Sequence, residues 1–362
     1  MSEYELLAGQ ERFAEAMDAI GAASSVAMDT EFVRERTYFA RLCLVQVAVP
    51  GHLLLIDPLS IEDPGPLVQL LRSRVTDKVF HAARQDIEVL MPLTAEPVSP
   101  LVDTQVAAGL LGFPAQIGYA DLVYQVLGVE LAKGHARTDW AARPLKEAQL
   151  SYAADDVRYL GGVADELLGR LSAAGRSHWL EEDCALLADP ELYRVEAGEA
   201  WRRFKGLERM RPEEHAVVRA LASWRETRAM RRNLPRAWVL ADEAIRELAR
   251  QRPGSMADLE RVGAVPPSTR TRFGEELLDA IATARTEPVD ELPVHERLTP
   301  GQLAQVKRLQ EALQAAAAAE RLSAEVLATR RELTALVRGA DDVPALRGWR
   351  REVIGEKLLA AL

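Results

Sequence analysis

Val26-Ala27-Met28-Asp29-Thr30-Glu31-Phe32 reads as a short buried strand closed by two acids, and the interpretation of the whole chain turns on that pair. Residues two apart on an extended strand project from the same face, so the Asp29 and Glu31 carboxylates point one way. Like charges set together beside apolar residues repel each other and lose hydration. They persist together when a cation stands between them, and hard divalent cations prefer oxygen ligands. A solvated strand end that binds nothing is the alternative, and only the acids further along separate the two readings.

Three later stretches supply such acids. His81-Ala82-Ala83-Arg84-Gln85-Asp86 follows a short strand ending at Phe80, which places Asp86 in the first turn of a helix. Complementing the helix dipole is its plain structural role, and His81 reads as a hydrogen-bonding group at the start of that helix. Asp103, behind Leu101-Val102, reads as an N-cap. Tyr152-Ala153-Ala154-Asp155-Asp156 lies in a helical segment spanning residues 145 to 173. Positions four apart share a helix face, so Tyr152 and Asp156 look the same way, while Asp155 turns toward solvent or a partner such as Arg158 or Tyr159.

Working outward, helical spacing over 10–20 precedes the acidic strand. Residues 41–49 and 52–56 are strand-like on either side of Pro50-Gly51, a hairpin signal. Helices at 64–71, 84–90, 103–111 and 119–127 alternate with short strands at 78–80 and 100–102. A meander followed by alternating strands and helices predicts a mixed sheet flanked by helices, an α/β domain over 1–190. A connecting helix over 191–209, an all-α unit of four short helices over 210–285, a linker over 286–299 and a smaller all-α unit over 300–362 complete the chain. The two helical units look like one another, as a diverged duplication would.

At 362 residues the chain is too long for one ordinary core. Its 48% hydrophobic and 28% charged residues are those of a soluble globular protein, and no apolar run is long enough for a membrane span. The start, Met-Ser-Glu-Tyr-Glu, lacks the features of a secretory signal. Two cysteines, Cys43 and Cys184, read as buried thiols and not as a disulfide or zinc site. Together these predict a cytoplasmic protein. The net charge of −10 is uneven: residues 1–190 carry 15 basic and 28 acidic side chains, and residues 201–285 carry 18 and 12. An acidic body followed by a basic module suits a cation site in the first and phosphate contact in the second.

These motifs together resemble the ribonuclease D family of the DEDD exonuclease superfamily, in the subclass with tyrosine in its third motif. Asp29 and Glu31 match the first motif, Asp86 the second, and Tyr152 with Asp156 the third. Asp-Thr-Glu-Phe-Val-Arg-x-Arg-Thr-Tyr at 29–38 and Arg-Thr-Asp-Trp-x-x-Arg-Pro-Leu at 137–145 are similar to stretches of the same family, and the helical units resemble tandem HRDC domains. The resemblance implies a ribonuclease-H-like catalytic domain of the proofreading-exonuclease type. It implies a 3′→5′ exoribonuclease releasing 5′-mononucleotides from tRNA precursors and other small structured RNAs. It also implies two divalent ions, Mg²⁺ or Mn²⁺, ~3.5–4 Å apart, one shared by Asp29, Glu31 and Asp156. The other is held by Asp29, and Asp86 acts partly through water. Tyr152 then orients the attacking water, since a phenol near pKa ~10 is a poor base at neutral pH.

Arg137, Trp140 and Arg143 admit two readings, contact with the substrate strand or support of their own loop. Arg228 with Arg231 or Arg232 falls on one helix face, which suits backbone phosphates or an idle solvated surface. Two functional alternatives stay open: a single-stranded DNA 3′→5′ exonuclease in repair, and a non-catalytic nucleic-acid-binding scaffold. A monomer is the default assembly.

Overall fold

The computed structural model describes residues 4–132, 134, 138–207, 210–286 and 298–362. They form two compact units: one holds residues up to Val33, Leu42–Tyr193 and Leu298–Leu362, and the other holds Arg34–Arg41 with Arg194–Arg297.

The first unit is built on a six-stranded mixed sheet. Its strands are β1 (Glu5–Leu7), β2 (Ser25–Val33), β3 (Arg41–Val49), β4 (His52–Ile56), β5 (Asp77–Phe80) and β6 (Leu101–Asp103), in the order β1-β4-β3-β2-β5-β6. β3 and β4 pair antiparallel around the expected hairpin, whereas β1–β4, β2–β5 and β5–β6 are parallel. β2, with its acids, therefore stands inside the sheet. Helix α1 (Gln10–Ile20) buries Phe13, Ala16, Met17 and Ile20, the i, i+3, i+4, i+7 stripe of a helix packed on a core. After α2 (Gly65–Arg72), helix α3 (Arg84–Thr94) starts from β5. Asp103 caps α4 (Thr104–Leu110), as its place before a helical run predicts, and its carboxylate also accepts from the Ala82 and Ala83 amides. Lys78, buried in β5, gives its three ammonium protons to the carbonyls of Ser73, Thr76 and Ser99, and burial draws its pKa down to about 8.

After α5 (Tyr119–Leu127), the expected long helix is in fact two, α6 (Glu147–Arg158) and α7 (Leu160–Ala173), broken at Tyr159. Helix α8 (Ser177–Leu187) follows. The expected connecting helix is two 3₁₀ turns, Pro190–Leu192 and Ala197–Arg203. Both cysteines are buried and unpaired by disulfide.

The second unit carries α9 (Pro212–Arg232), α10 (Arg236–Val239), α11 (Asp242–Gln251), α12 (Met256–Glu260) and α13 (Pro267–Thr286) around a core of its own. The linker expected over 286–299 falls mostly on residues 287–297, outside the described residues.

Residues 298–362 fold into α14 (Pro300–Glu320), α15 (Ala324–Leu327), α16 (Arg330–Val337), α17 (Gly348–Arg350) and α18 (Glu356–Ala361). They do not keep a core to themselves. Leu309, Leu313, Leu333, Trp349 and Leu358 belong to the same buried cluster as Phe13, Val45 and Leu90. Trp349 stacks on Trp179 of α8 with ring centres 4.3 Å apart, and Arg350 pairs with Asp183 through two bonds of 2.5 and 2.9 Å. Gly112, at φ +92°, lies so close to the Arg321 carbonyl that a Cβ would stand 2.4 Å from its oxygen. Only glycine fits there.

Candidate active site

Alternation along β2 aims Ala27, Asp29 and Glu31 to one side, and α6 presents Tyr152 and Asp156 to them at the predicted i, i+4 spacing. Donor oxygens of Asp29, Glu31 and Asp156 all lie within 4.8 Å of one another. They stand in a cavity of about 250 Å³, lined also by Met28, Thr30, His81, Tyr119, Tyr152 and Leu160. Asp86, in the first turn of α3, is buried behind this group. Thr30, which points away from the two acids it separates, donates its hydroxyl proton to Asp86 at 2.6 Å.

Four carboxyls enclosed together cannot all ionise cheaply in the absence of cations. Burial raises Asp29 well above the ordinary carboxyl value, and the charges of Asp86, Asp156 and Glu31 raise it further. Burial pushes Glu31 up to about 9, Asp156 to about 7 and Asp86 to about 6. Tyr152 hydrogen-bonds Asp156, which favours the carboxylate of Asp156, while burial and the same acid push the phenol far above 10. The phenol is therefore neutral at neutral pH. The donor set is all hard oxygen, close-spaced and short of positive charge, which is what a divalent ion of the magnesium type requires.

His81 is a structural group. Its Nε2 faces the Ile117 carbonyl at 3.0 Å and its Nδ1 the Thr104 hydroxyl at 2.9 Å, and burial lowers its pKa. The Ile117 carbonyl can only accept, so the ring carries its proton on Nε2, while the Thr104 hydroxyl gives its own proton to the Phe80 carbonyl. Asp155 pairs with Arg158 at 2.8 Å and stays out of the cavity. Tyr119, absent from the sequence-based set, lines the cavity and donates its hydroxyl to the Asp155 carbonyl at 3.3 Å. It opens a short helix 33 residues before Tyr152, and no local pattern marks it.

The remaining residues divide. Trp140 is only 2% exposed, packed with Cys43, Leu44, Leu55 and Ala153 at 6.3 Å from the Tyr152 ring, so it lies under the site and does not wall it. All five Arg143 donors are occupied: Nε and Nη2 on Asp57 at 2.6 and 2.7 Å, Nη2 also on the Cys43 carbonyl, and Nη1 on the Trp140 and Ala142 carbonyls. A guanidinium with no donor left has none for a phosphate, so Arg143 supports its loop. Its carboxylate partner is Asp57. Arg137 lies outside the described residues. In the second unit, Arg228 gives Nη2 to both Glu276 oxygens and stacks on Phe273 at 4.2 Å, whereas Arg231 and Arg232 are exposed beside it.

Comparison with known proteins gives this site its context. The 3′-5′ exonuclease family model matches residues 4–172, and the HRDC domain model matches residues 214–281. Ribonuclease D of Acidiphilium cryptum is 39% identical over 363 residues, covering 98% of this chain and 92% of that protein. This chain belongs to the ribonuclease D family. The Escherichia coli ribonuclease D is 35% identical over 98% of this chain and 97% of its own. The crystal structure of E. coli RNase D, an exoribonuclease involved in structured RNA processing, superposes with a TM-score of 0.87 at 34% identity, covering 99% and 98% of the two chains. The chain is thus a divalent-metal-dependent 3′→5′ exoribonuclease with an exonuclease domain, an HRDC domain and a helical C-terminal region, as its motifs imply. No helix among the described residues is long and apolar enough to cross a membrane.

Proposed function

We propose that Asp29, Glu31 and Asp156, with Asp86 behind them, hold two divalent ions, Mg²⁺ with Mn²⁺ as a substitute, and that Tyr152 orients the attacking water. The observation that carries this is the meeting of three carboxylates within 4.8 Å beside a phenol bonded to one of them. Bound ions supply the positive charge that lets water approach an anionic phosphodiester and that stabilises the departing 3′ oxygen. Tyr152, neutral and bonded to Asp156, keeps an oxygen lone pair with which to fix the water. Trp140 beneath its ring and Ala153 in the same turn limit its motion. Hydrolysis places the water oxygen on the phosphate of the released 5′-mononucleotide and a proton on the 3′ oxygen of the shortened chain.

The substrates in this reading are 3′ trailers of tRNA precursors and other small structured RNAs, cut by a monomer in the cytoplasm. Arg231 and Arg232 contact phosphates of the RNA body. Residues 300–362 are a diverged second HRDC-like unit. Support comes from element order: α9 and α14 are each 21 residues with proline at the start and a left-handed residue at the end, and each is followed by a four-residue helix and then a longer one.

The test is a gel assay on a 5′-labelled, 3′-extended tRNA precursor with Mg²⁺, Mn²⁺, chelator and the Asp29→Asn variant. Single-nucleotide shortening that chelator and variant abolish is the expected result. Tight RNA binding without shortening by folded, metal-loaded protein refutes the proposed site.

A further inference from the structure

The Tyr119 ring, at the start of α5, stands between the carboxylate cavity and a small apolar cluster of Ala27, Val79, Leu160 and Ala164. Its hydroxyl reaches the backbone of the helix beside it at the place where that helix stops. It donates to the Asp155 carbonyl at 3.3 Å and accepts from the Tyr159 amide. Those two backbone groups are four residues apart, and in an unbroken helix they bond to each other. Here the Tyr159 amide is shared between the Tyr119 oxygen and the Val157 carbonyl, and Tyr159 leaves the helix at φ −107° and ψ −6°.

A side chain inserted into the i→i−4 ladder is one of the few causes of a sharp break in a helix. No proline is near, and Gly161 and Gly162 lie inside α7, past the break, which leaves the Tyr119 hydroxyl at the interrupted bond. The break stands at the chemistry. Asp155 is the residue before Asp156, and Leu160, the first residue of α7, lines the cavity. α6 lies on β2 and β4, whereas α7 packs mainly on α4 and α5, so each half keeps its own partners. Burial and the charges of Asp156 and Asp29 hold the phenol far above its ordinary value, and the proton that it gives to Asp155 stays in place at neutral pH.

We infer that Tyr119 is a positioning residue for the metal site: its hydroxyl holds the helix open at the turn that carries Asp156 and so fixes how that carboxylate meets Asp29 and Glu31. The inference rests on the metal-binding role proposed above for Asp156. Metal-binding carboxylates must hold position to within ~0.5 Å, and tying the backbone carbonyl one residue before the ligand limits its motion directly. Because the ring also borders the cavity, contact with the RNA is the competing role, and the test separates the two.

Tyr119→Phe keeps the ring on Leu160 and deletes the hydroxyl alone. Mn²⁺ binding is read from the free-ion electron paramagnetic resonance signal, alongside kcat, KM and RNA affinity in chelator. The variant is expected to bind Mn²⁺ about tenfold more weakly, the low end for lost outer-shell support, and to lose kcat, while KM and RNA affinity stay at the wild-type values. Combination with Asp156→Asn gives a second reading through non-additivity. A hydroxyl that acts through Asp156 has nothing left to position there, so Tyr119→Phe adds no further loss of Mn²⁺ binding in that background. Wild-type Mn²⁺ binding and kcat in Tyr119→Phe overturn the inference. A full further loss on top of Asp156→Asn, which general loosening of the fold produces, overturns it as well. Weakened RNA affinity with Mn²⁺ binding intact assigns the hydroxyl to the substrate and does the same. Full Mn²⁺ binding in Asp156→Asn instead overturns the metal site itself, so the two failures are told apart.

Discussion

Arg143 and Asp57, 86 positions apart, meet through two parallel bonds of 2.6 and 2.7 Å, and the carboxylate is nearly buried. The pair ties the loop bearing Trp140 to the end of β4. Arg143→Ala strands Asp57 and removes the donors of three backbone carbonyls, and the expected loss is about 3 kcal/mol, the low end for a broken buried pair because the arginine is partly exposed. Urea unfolding measures it. RNA affinity stays at the wild-type value, and a marked loss of binding by folded Arg143→Ala would restore the substrate-contact reading.

Tyr152→Phe keeps the ring over Trp140 and deletes the hydroxyl. Turnover is expected to fall about 10²-fold, the lower range for a positioned proton-transfer or orienting group. Mn²⁺ binding and RNA affinity are unaffected. A variant that loses RNA binding in proportion to turnover removes the hydroxyl from the chemistry.

The acid cluster sets a pH dependence with a definite sign. Asp29, Glu31, Asp86 and Asp156 all hold protons more tightly in the folded chain than in the unfolded one, where carboxyls titrate near about 4. Their contribution to stability is complete below that value and is lost as pH rises through about 6, 7 and 9. Bound metal takes over from the protons, so the rise in Tm on adding Mg²⁺ grows with pH. Calorimetry from pH 5.5 to 9, with Mg²⁺ and with chelator, reads the difference. A metal-induced shift that shrinks as pH rises contradicts the cluster's assignment.

Asp57 runs the other way. Burial disfavours its charge, but Arg143, the Leu59 amide and Ser60 together outweigh burial and hold its carboxyl below the usual range. Its contribution is present above about pH 4 and vanishes in acid. Asp57→Asn is therefore expected to destabilise the chain at pH 7 more than at pH 3, which paired urea titrations decide.

Arg231→Ala and Arg232→Ala together should weaken RNA binding a few-fold, equally across sequences, and flatten the dependence of log Kd on log salt by about 1–2. Unchanged salt dependence would assign RNA contact elsewhere.

Local periodicity carried what it could. The strand with Asp29 and Glu31, the helix start at Asp86 and the Tyr152–Asp156 face are all short-range patterns, and each stands where its spacing puts it. The break at Tyr159 escaped because the apolar rhythm continues across it, from Val157 and Leu160 into Val163. The three-residue strand β1 is too short to show alternation. Arg143 with Asp57, Tyr38 with Glu226, and Tyr119 in the cavity are meetings of distant residues, which no periodicity announces.

The shared core of residues 298–362 with the catalytic sheet bears on the order of synthesis. When the chain has emerged to residue 286, every helix among the described residues of the second unit is present and its core can close. The exonuclease sheet at that moment still lacks Trp349 for Trp179 and the leucines of α14 and α16. Folding from the N-terminus onward thus finishes the inserted unit before the enzyme around it, and the nuclease reaches its final form only after its last helices leave the ribosome.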